Sequence, residues 1–371
     1  MNMRLVVLAT VGLTVGIFLS LGEVGVRLFV QNSEITPELV RNRSLRYEPA
    51  LYARHVLAKE AHKAVDSPVK GKGVNYEINK NGYRGEYFSP QKPRGVLRII
   101  VYGGSVVFDI RAPEGESWPQ IVQKGLRENG MKDVEVINAG IPGHTSLDSV
   151  GRLFTEGFSF KPDYVLIYNG WNDIKYFLSK ETTLRTLKPR LQKFDPRIHY
   201  MGNIDQWMCE TVHLYNVLRR IYFKKLYKIG KEGLEGSQTV RFPKTAINPL
   251  AIEQYRLAME VFVDLARNIG ARPILMTQAR LIHESSVSSP RSKIDFHRVQ
   301  LTPEALLETF NELDDLVRDV SMKKGVPLID ASAHLSGKDW VFEDHVHLHP
   351  PGSRALAQQV IDFFLEKEFE E

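Results

Sequence analysis

Beyond residue 95 the chain alternates short, unbroken apolar runs with longer segments in which apolar positions recur every three or four residues. The runs at 96–102, 134–137, 164–168, 273–277 and 326–329 are largely continuous rather than alternating, the pattern of strands buried on both faces of a parallel sheet. Helical spacing falls between and after them, at about 118–128, 147–157, 249–268, 303–323 and 352–364. Strands that alternate with helices predict an α/β fold with helices on both faces of one parallel sheet.

Three stretches stand outside this alternation. Residues 5–21 carry no charge and only Thr10, Thr14 and Ser20 as polar side chains, behind Arg4. That length lies at the lower limit of a spanning helix and slightly above a usual signal-peptide core. Glu23 and Arg27 continue the helical spacing, so residues 1–30 are read as an N-terminal transmembrane anchor, with a cleaved signal as the alternative. Residues 31–94 are polar and rich in Arg, Lys and Asn, a juxtamembrane connector that wraps the core; the α/β domain is then expected over 95–371. An insertion at about 178–245 holds a basic, aromatic cluster: Arg219, Arg220, Tyr222, Phe223, Lys224, Lys225, Tyr227 and Lys228. It reads either as a solvated helical face or as a lid or acidic-headgroup contact.

With 371 residues, 43% hydrophobic and 25% charged, the composition suits one large domain with additions. The net charge of +5 is compatible with nucleic acid, but no recognition motif accompanies it, so no nucleic-acid partner is expected. Cys209 is the single cysteine; it forms no intrachain disulfide, lies far from the apolar segment where a lipid-modified N-terminus needs one, and reads as a small packed hydrophobe.

The chemistry concentrates at strand ends. Gly103-Gly104-Ser105 follows the first strand, where two glycines permit the sharp turn that presents a serine at the sheet's carboxyl edge. Serine needs a base and a group to orient that base. Asp344-His345-Val346-His347 offers both, although three alternating histidines, His345, His347 and His349, beside Asp344 also suit a metal. Asn138-Ala139-Gly140 and Asn169-Gly170-Trp171-Asn172-Asp173 follow two further strands, so a glycine N–H and an asparagine amide can aim at one developing oxyanion. His144 and Arg280 lie just past strand ends as candidate substrate contacts, and Trp171 as a pocket wall.

These residues resemble, in order, the four blocks of the SGNH hydrolases, also called GDSL esterases and lipases: Tyr102-Gly103-Gly104-Ser105, Asn138-Ala139-Gly140-Ile141-Pro142-Gly143, Gly170-Trp171-Asn172-Asp173, and Asp344-His345-Val346-His347 followed by Pro350 and Gly352. Asn81-Gly82-Tyr83-Arg84-Gly85 is similar to a lead-in found in many bacterial members. Gly104 stands where the family often has aspartate, and Asp109 where its serine block usually ends in glycine.

The resemblance implies a three-layer, flavodoxin-like sandwich with a sheet of about five strands. It implies Ser105 as nucleophile, His347 as base, Asp344 as its orienting partner, Gly140 and Asn172 as oxyanion donors, and neither metal nor cofactor. The expected substrate is an acylated saccharide or lipid of the cell envelope, with short acyl chains on a saccharide favoured and the body on the periplasmic or outer side of a single-pass membrane anchor. An acyltransferase would use the same residues, and a catalytically silent glycan-binding scaffold would keep the same fold.

Overall fold

The predicted runs form the sheet. The computed structural model describes residues 3–30, 47–48, 53, 56–57, 62–65, 74–175, 177, 208, 211–215, 217–218, 221, 245–284, 293–294 and 296–368. The chain divides into two units, Met1–Leu45 with Pro189–Thr239, and Arg46–Lys188 with Val240–Glu371. Cys209 and the basic cluster between Arg219 and Lys228 lie outside the described residues.

In the first unit a single helix covers Met3–Val30. Its Glu23 accepts hydrogen bonds from the backbone N–H groups of His213 at 3.0 Å and Leu214 at 2.7 Å and pairs with Arg27 at 2.8 Å, as the four-residue spacing predicts. Among the described residues no helix is long and apolar enough to cross a membrane. Side chains of this helix are described only for residues 14–28, so much of the uncharged stretch lies outside that description.

The second unit holds five parallel strands: β1 (Leu97–Gly103), β2 (Val134–Gly140), β3 (Tyr164–Tyr168), β4 (Arg272–Met276) and β5 (Leu328–Ile329), in the spatial order β2-β1-β3-β4-β5. Six of the seven residues of β1 are buried, which is why this strand reads as an unbroken apolar run. Its one cation, Arg98, is buried against Glu135 at 2.7 Å and donates to the carbonyl oxygens of Ser89 and Phe160 at 2.8 Å each.

The connecting helices form two packed groups. Helices α2 (Trp118–Glu128) and α8 (Pro350–Glu368) lie together, and α5 (Pro249–Asn268) packs on α3 (Ser146–Arg152) and on α6 (Pro303–Lys324). Right-handed crossovers require this division: the chain leaves β1 toward β2 on one side and then returns past β1 to β3, so successive helices fall on opposite faces. The reversal between β1 and β3 leaves a crevice at their carboxyl ends, and ligand sites of open α/β sheets lie there. Gly103 and Tyr168 are register partners, which sets the segments after β1 and β3 side by side.

Part of the predicted connector belongs to this unit. His62–Val65 pairs antiparallel with Asn75–Ile78, and Arg84 bridges Ile78 on one side and Asn138 of β2 on the other.

Candidate active site

Ser105 opens the four-residue helix α1 (Ser105–Phe108) directly after β1, so its N–H has no acceptor within the helix. Val106, Val107 and Phe108 are buried and fix this short helix from below. The base arrives from the turn before α8. There Asp344 organises its own loop: Oδ1 accepts the N–H groups of Val346 at 3.1 Å and His347 at 2.9 Å, and Oδ2 lies 2.7 Å from His347 Nδ1. His347 Nε2 is then 2.7 Å from Ser105 Oγ. An Nδ1–H donated to the carboxylate leaves Nε2 as acceptor for the serine hydroxyl. Burial alone would raise the Asp344 pKa, but the hydrogen bond and charge of His347, the nearby His345 and the backbone donors outweigh it and hold the carboxyl well below the usual range.

Asn172 faces this pair from α4 (Trp171–Ile174), the helix after β3. Its Nδ2 donates to the carbonyl oxygen of His144 at 2.9 Å, and its Oδ1 accepts from Lys175 Nζ at 2.5 Å. Gly104 makes the approach possible, because a Cβ there would meet Asn172 Nδ2 at 2.6 Å. Gly104, Ser105, Trp171, Asn172, Gln278 and Val346 are among the residues lining a cavity of about 10 Å³ beside the Ser105 hydroxyl. A second cavity, about 430 Å³, lies between α2 and the segment 79–88, and none of the three residues Ser105, Asp344 and His347 lines it.

Of the expected site residues, Ser105, Asn172, Trp171, Asp344 and His347 come together. Three others have different duties. Gly140 donates its N–H to Asn138 Oδ1 at 3.0 Å, so that donor is engaged within β2 rather than directed at the serine. Its lack of a side chain answers to packing: a Cβ would lie 2.1 Å from the backbone nitrogen of Phe108. His144 is buried, and it is its carbonyl that touches the site. Arg280, expected as a substrate contact just past a strand end, is also buried, where it pairs with Asp314 and donates to Ser332 Oγ at 2.6 Å and Asn311 Oδ1 at 2.7 Å. It holds β4's exit to α6.

Asp344, His345 and His347 have ligand atoms within 4.8 Å of one another, close enough for a metal. Two of the three, however, are aligned into the serine hydrogen-bond chain, and the His345 ring lies against Trp171 with centroids 3.8 Å apart.

Three residues support the site; the sequence marked Arg84 only as part of a lead-in and Asp109 only as a departure before the next helix, and did not mark Lys175. Arg84 is buried, and its guanidinium donates to the carbonyl oxygens of Phe108 and Asp109 at 2.7 Å each, of Ala112 at 2.7 Å and of Pro113 at 2.9 Å, fastening the loop after α1. Asp109 caps two helices: it ends α1 in the left-handed region, φ 59°, and its Oδ2 accepts the N–H of Trp118, the first residue of α2. The carboxylate that departs from the usual glycine thus serves a helix N-terminus. Burial pushes its pKa up to about 6, although the Trp118 hydrogen bond and the Arg84 charge pull the other way. Lys175 is the third; its spacing of three from Asn172 was the available signal.

The geometry agrees with the comparisons. The model of the GDSL-like lipase/acylhydrolase family matches residues 101–355. An arylesterase of Vibrio mimicus is 37% identical over 76 residues, which is 20% of this chain and 38% of that protein's length, so the matched segment spans well under half of that relative. The uncharacterized lipoprotein YqeF of Bacillus subtilis is 22% identical over 252 residues, covering 66% of this chain and 75% of the relative. Among solved structures, the lipase/acylhydrolase from Enterococcus faecalis superposes with a TM-score of 0.43 at 17% identity, covering 73% of this chain and 97% of that one. With the family model spanning most of the chain, from the end of β1 to the start of α8, the protein belongs to the GDSL-like lipase/acylhydrolase family and is a hydrolase of the GDSL, or SGNH, type.

Proposed function

We propose that the protein is a serine esterase that cleaves short acyl esters through an acyl-enzyme. The observation that carries this is the unbroken chain from Ser105 Oγ to His347 Nε2 at 2.7 Å and from His347 Nδ1 to Asp344 at 2.7 Å. Ser105 Oγ bonds to the ester carbonyl carbon as its proton passes to His347 Nε2, and Asp344 stabilises the imidazolium. The Ser105 N–H and the second hydrogen of Asn172 Nδ2 hold the oxyanion. As the carbonyl reforms, the C–O bond to the alcohol breaks and the alcohol takes the proton from His347. Water then adds to the acyl-enzyme with His347 again as base, releasing the acid and restoring Ser105. Small acyl groups occur on envelope saccharides, and we take an acylated saccharide as the substrate class. The membrane tether is part of the same proposal; its support is the helix Met3–Val30 with its uncharged stretch.

A fluorophosphonate probe and a panel of acetylated sugars and lysophospholipids test the reading on the full chain in detergent. Labelling at Ser105 with release of acetate supports it. A chain that neither labels nor hydrolyses any ester overturns it, and appearance of a transacylated sugar instead of free acid would make the enzyme a transferase.

A further inference from the structure

The side-chain amide of Asn172 has two ends, and each meets a partner of one kind only. Nδ2 donates at 2.9 Å to the His144 carbonyl oxygen, which only accepts; Oδ1 accepts at 2.5 Å from Lys175 Nζ, which as an ammonium only donates. A flipped amide would set oxygen against oxygen and NH2 against ammonium. The two partners together therefore dictate that the nitrogen faces Gly104 and Ser105, with which Asn172 lines one cavity. Lys175 ends α4, three residues after Asn172, so the pair shares a helix face.

We propose that Lys175 is a positioning residue for ester cleavage and acts through Asn172: its ammonium locks the amide's orientation and polarises it, so that the remaining Nδ2 hydrogen is a stronger donor to the oxyanion. The proposal rests on the reading of Asn172 as that donor. A cation on the amide oxygen draws electron density from the nitrogen, and hydrogen bonds linked in such a chain strengthen one another. The benefit grows as negative charge develops on the substrate oxygen, so it belongs to kcat rather than to KM.

Steady-state kinetics of the full chain on a short acyl aryl ester test it, with Lys175→Met, Lys175→Arg, Asn172→Ala and the Lys175→Met, Asn172→Ala double variant. Methionine keeps the length of the side chain and removes its donor. Lys175→Met is expected to lower kcat by about tenfold or more, with KM within about twofold, against the loss of about 100-fold or more expected from removing the donor itself. Lys175→Arg is expected to restore most of the rate. In the Asn172→Ala background Lys175→Met is expected to add no further loss, because its route to the substrate is already gone. Thermal melts accompany each variant; if Lys175→Met is unfolded at the assay temperature, Lys175→Gln replaces it in the same cycle. Wild-type kcat in the Lys175 variant, or the same fold-loss with and without Asn172, overturns the proposal. Failure of the underlying reading looks different: Asn172→Ala would then retain wild-type kcat, or the wild type would neither cleave esters nor label at Ser105, and this proposal would fall with it.

Discussion

A Cβ on Gly104 would stand 2.6 Å from Nδ2 of Asn172 and 3.1 Å from the carbonyl oxygen of His144. The turn that carries the serine and the amide that faces it are packed at the limit of contact. Gly104 has φ −92°, which any residue adopts, so its missing side chain answers to its neighbours and not to backbone strain. Gly104→Ala should therefore fold with a melting temperature within a few degrees of wild type, since the amide group at the end of a rotatable side chain can withdraw. Its kcat should fall by about 10- to 100-fold as the donor leaves the oxyanion. Gly104→Asp, with the residue common in the resembling pattern, should lose more. An unchanged kcat in both would mean that Asn172 does not face the oxyanion.

Ser105→Ala should abolish ester cleavage and fluorophosphonate labelling while leaving the melt unchanged, because the hydroxyl packs against little besides His347. His347→Ala should be as severe. His345→Phe preserves a ring against Trp171 and should be far milder, with no response to a chelator. Equal losses at both histidines together with zinc-dependent recovery would instead identify a metal centre built on Asp344, His345 and His347.

Buried Asp109 and half-buried Asp344 give opposite pH signatures in stability. Asp109, pushed up to about 6, keeps its proton in the folded protein after the unfolded chain has lost it at about 3.9. The unfolded state therefore binds fewer protons between about pH 4 and 6, and stability falls as pH rises through that window, by about 3 kcal/mol at most. Asp344 is depressed, so its contribution is present above about pH 4 and is lost as pH falls toward its folded value. Denaturant titrations from pH 4 to 7 should show the falling limb flatten in Asp109→Asn. A parallel pair of curves for wild type and variant would rule out this role for Asp109.

Arg84→Met should remove about 3 to 5 kcal/mol of unfolding free energy, because four backbone carbonyl oxygens lose a charged donor in a buried place. The same change should lower kcat, since two of those carbonyls, Phe108 and Asp109, end the helix that Ser105 begins. Equilibrium unfolding and kinetics on the same preparation check both. A loss below about 1 kcal/mol would show that the loop holds itself.

The strands were legible because a strand buried on both faces must be apolar throughout, and Tyr164–Tyr168 is found where the pattern put it. β2 runs on through Asn138, Ala139 and Gly140, which pair with Val101, Tyr102 and Gly103; small and polar residues carry no such pattern, so that extension was missed. The expected helix at 147–157 breaks at Arg152 into a π-turn over Leu153–Gly157, a change of one residue per turn that spacing arguments do not resolve. At the site, residue types with few structural uses in that order pointed to Ser105, Asn172, Asp344 and His347. The supports did not show because their partners are chosen by packing. Arg84 binds backbone carbonyls 24 to 29 positions away, and Arg280 was read as a substrate contact because its partner Asp314 lies 34 residues beyond it.

Ser105 and His347 are separated by 242 positions, and four of the five parallel strands lie between them. A chain that stops before residue 347 holds Ser105 without its hydrogen-bond partner. While the chain is being made, Ser105 emerges long before His347 exists, so a nascent chain should not react with an active-site probe. His347 stands in the turn just before α8, so the imidazole meets the hydroxyl where the C-terminal part of the chain packs against the sheet. The hydrolase is thus its own folding sensor: reactivity with an active-site probe counts fully assembled molecules, and any lesion that loosens the C-terminal helix will first be visible as lost labelling rather than as lost secondary structure.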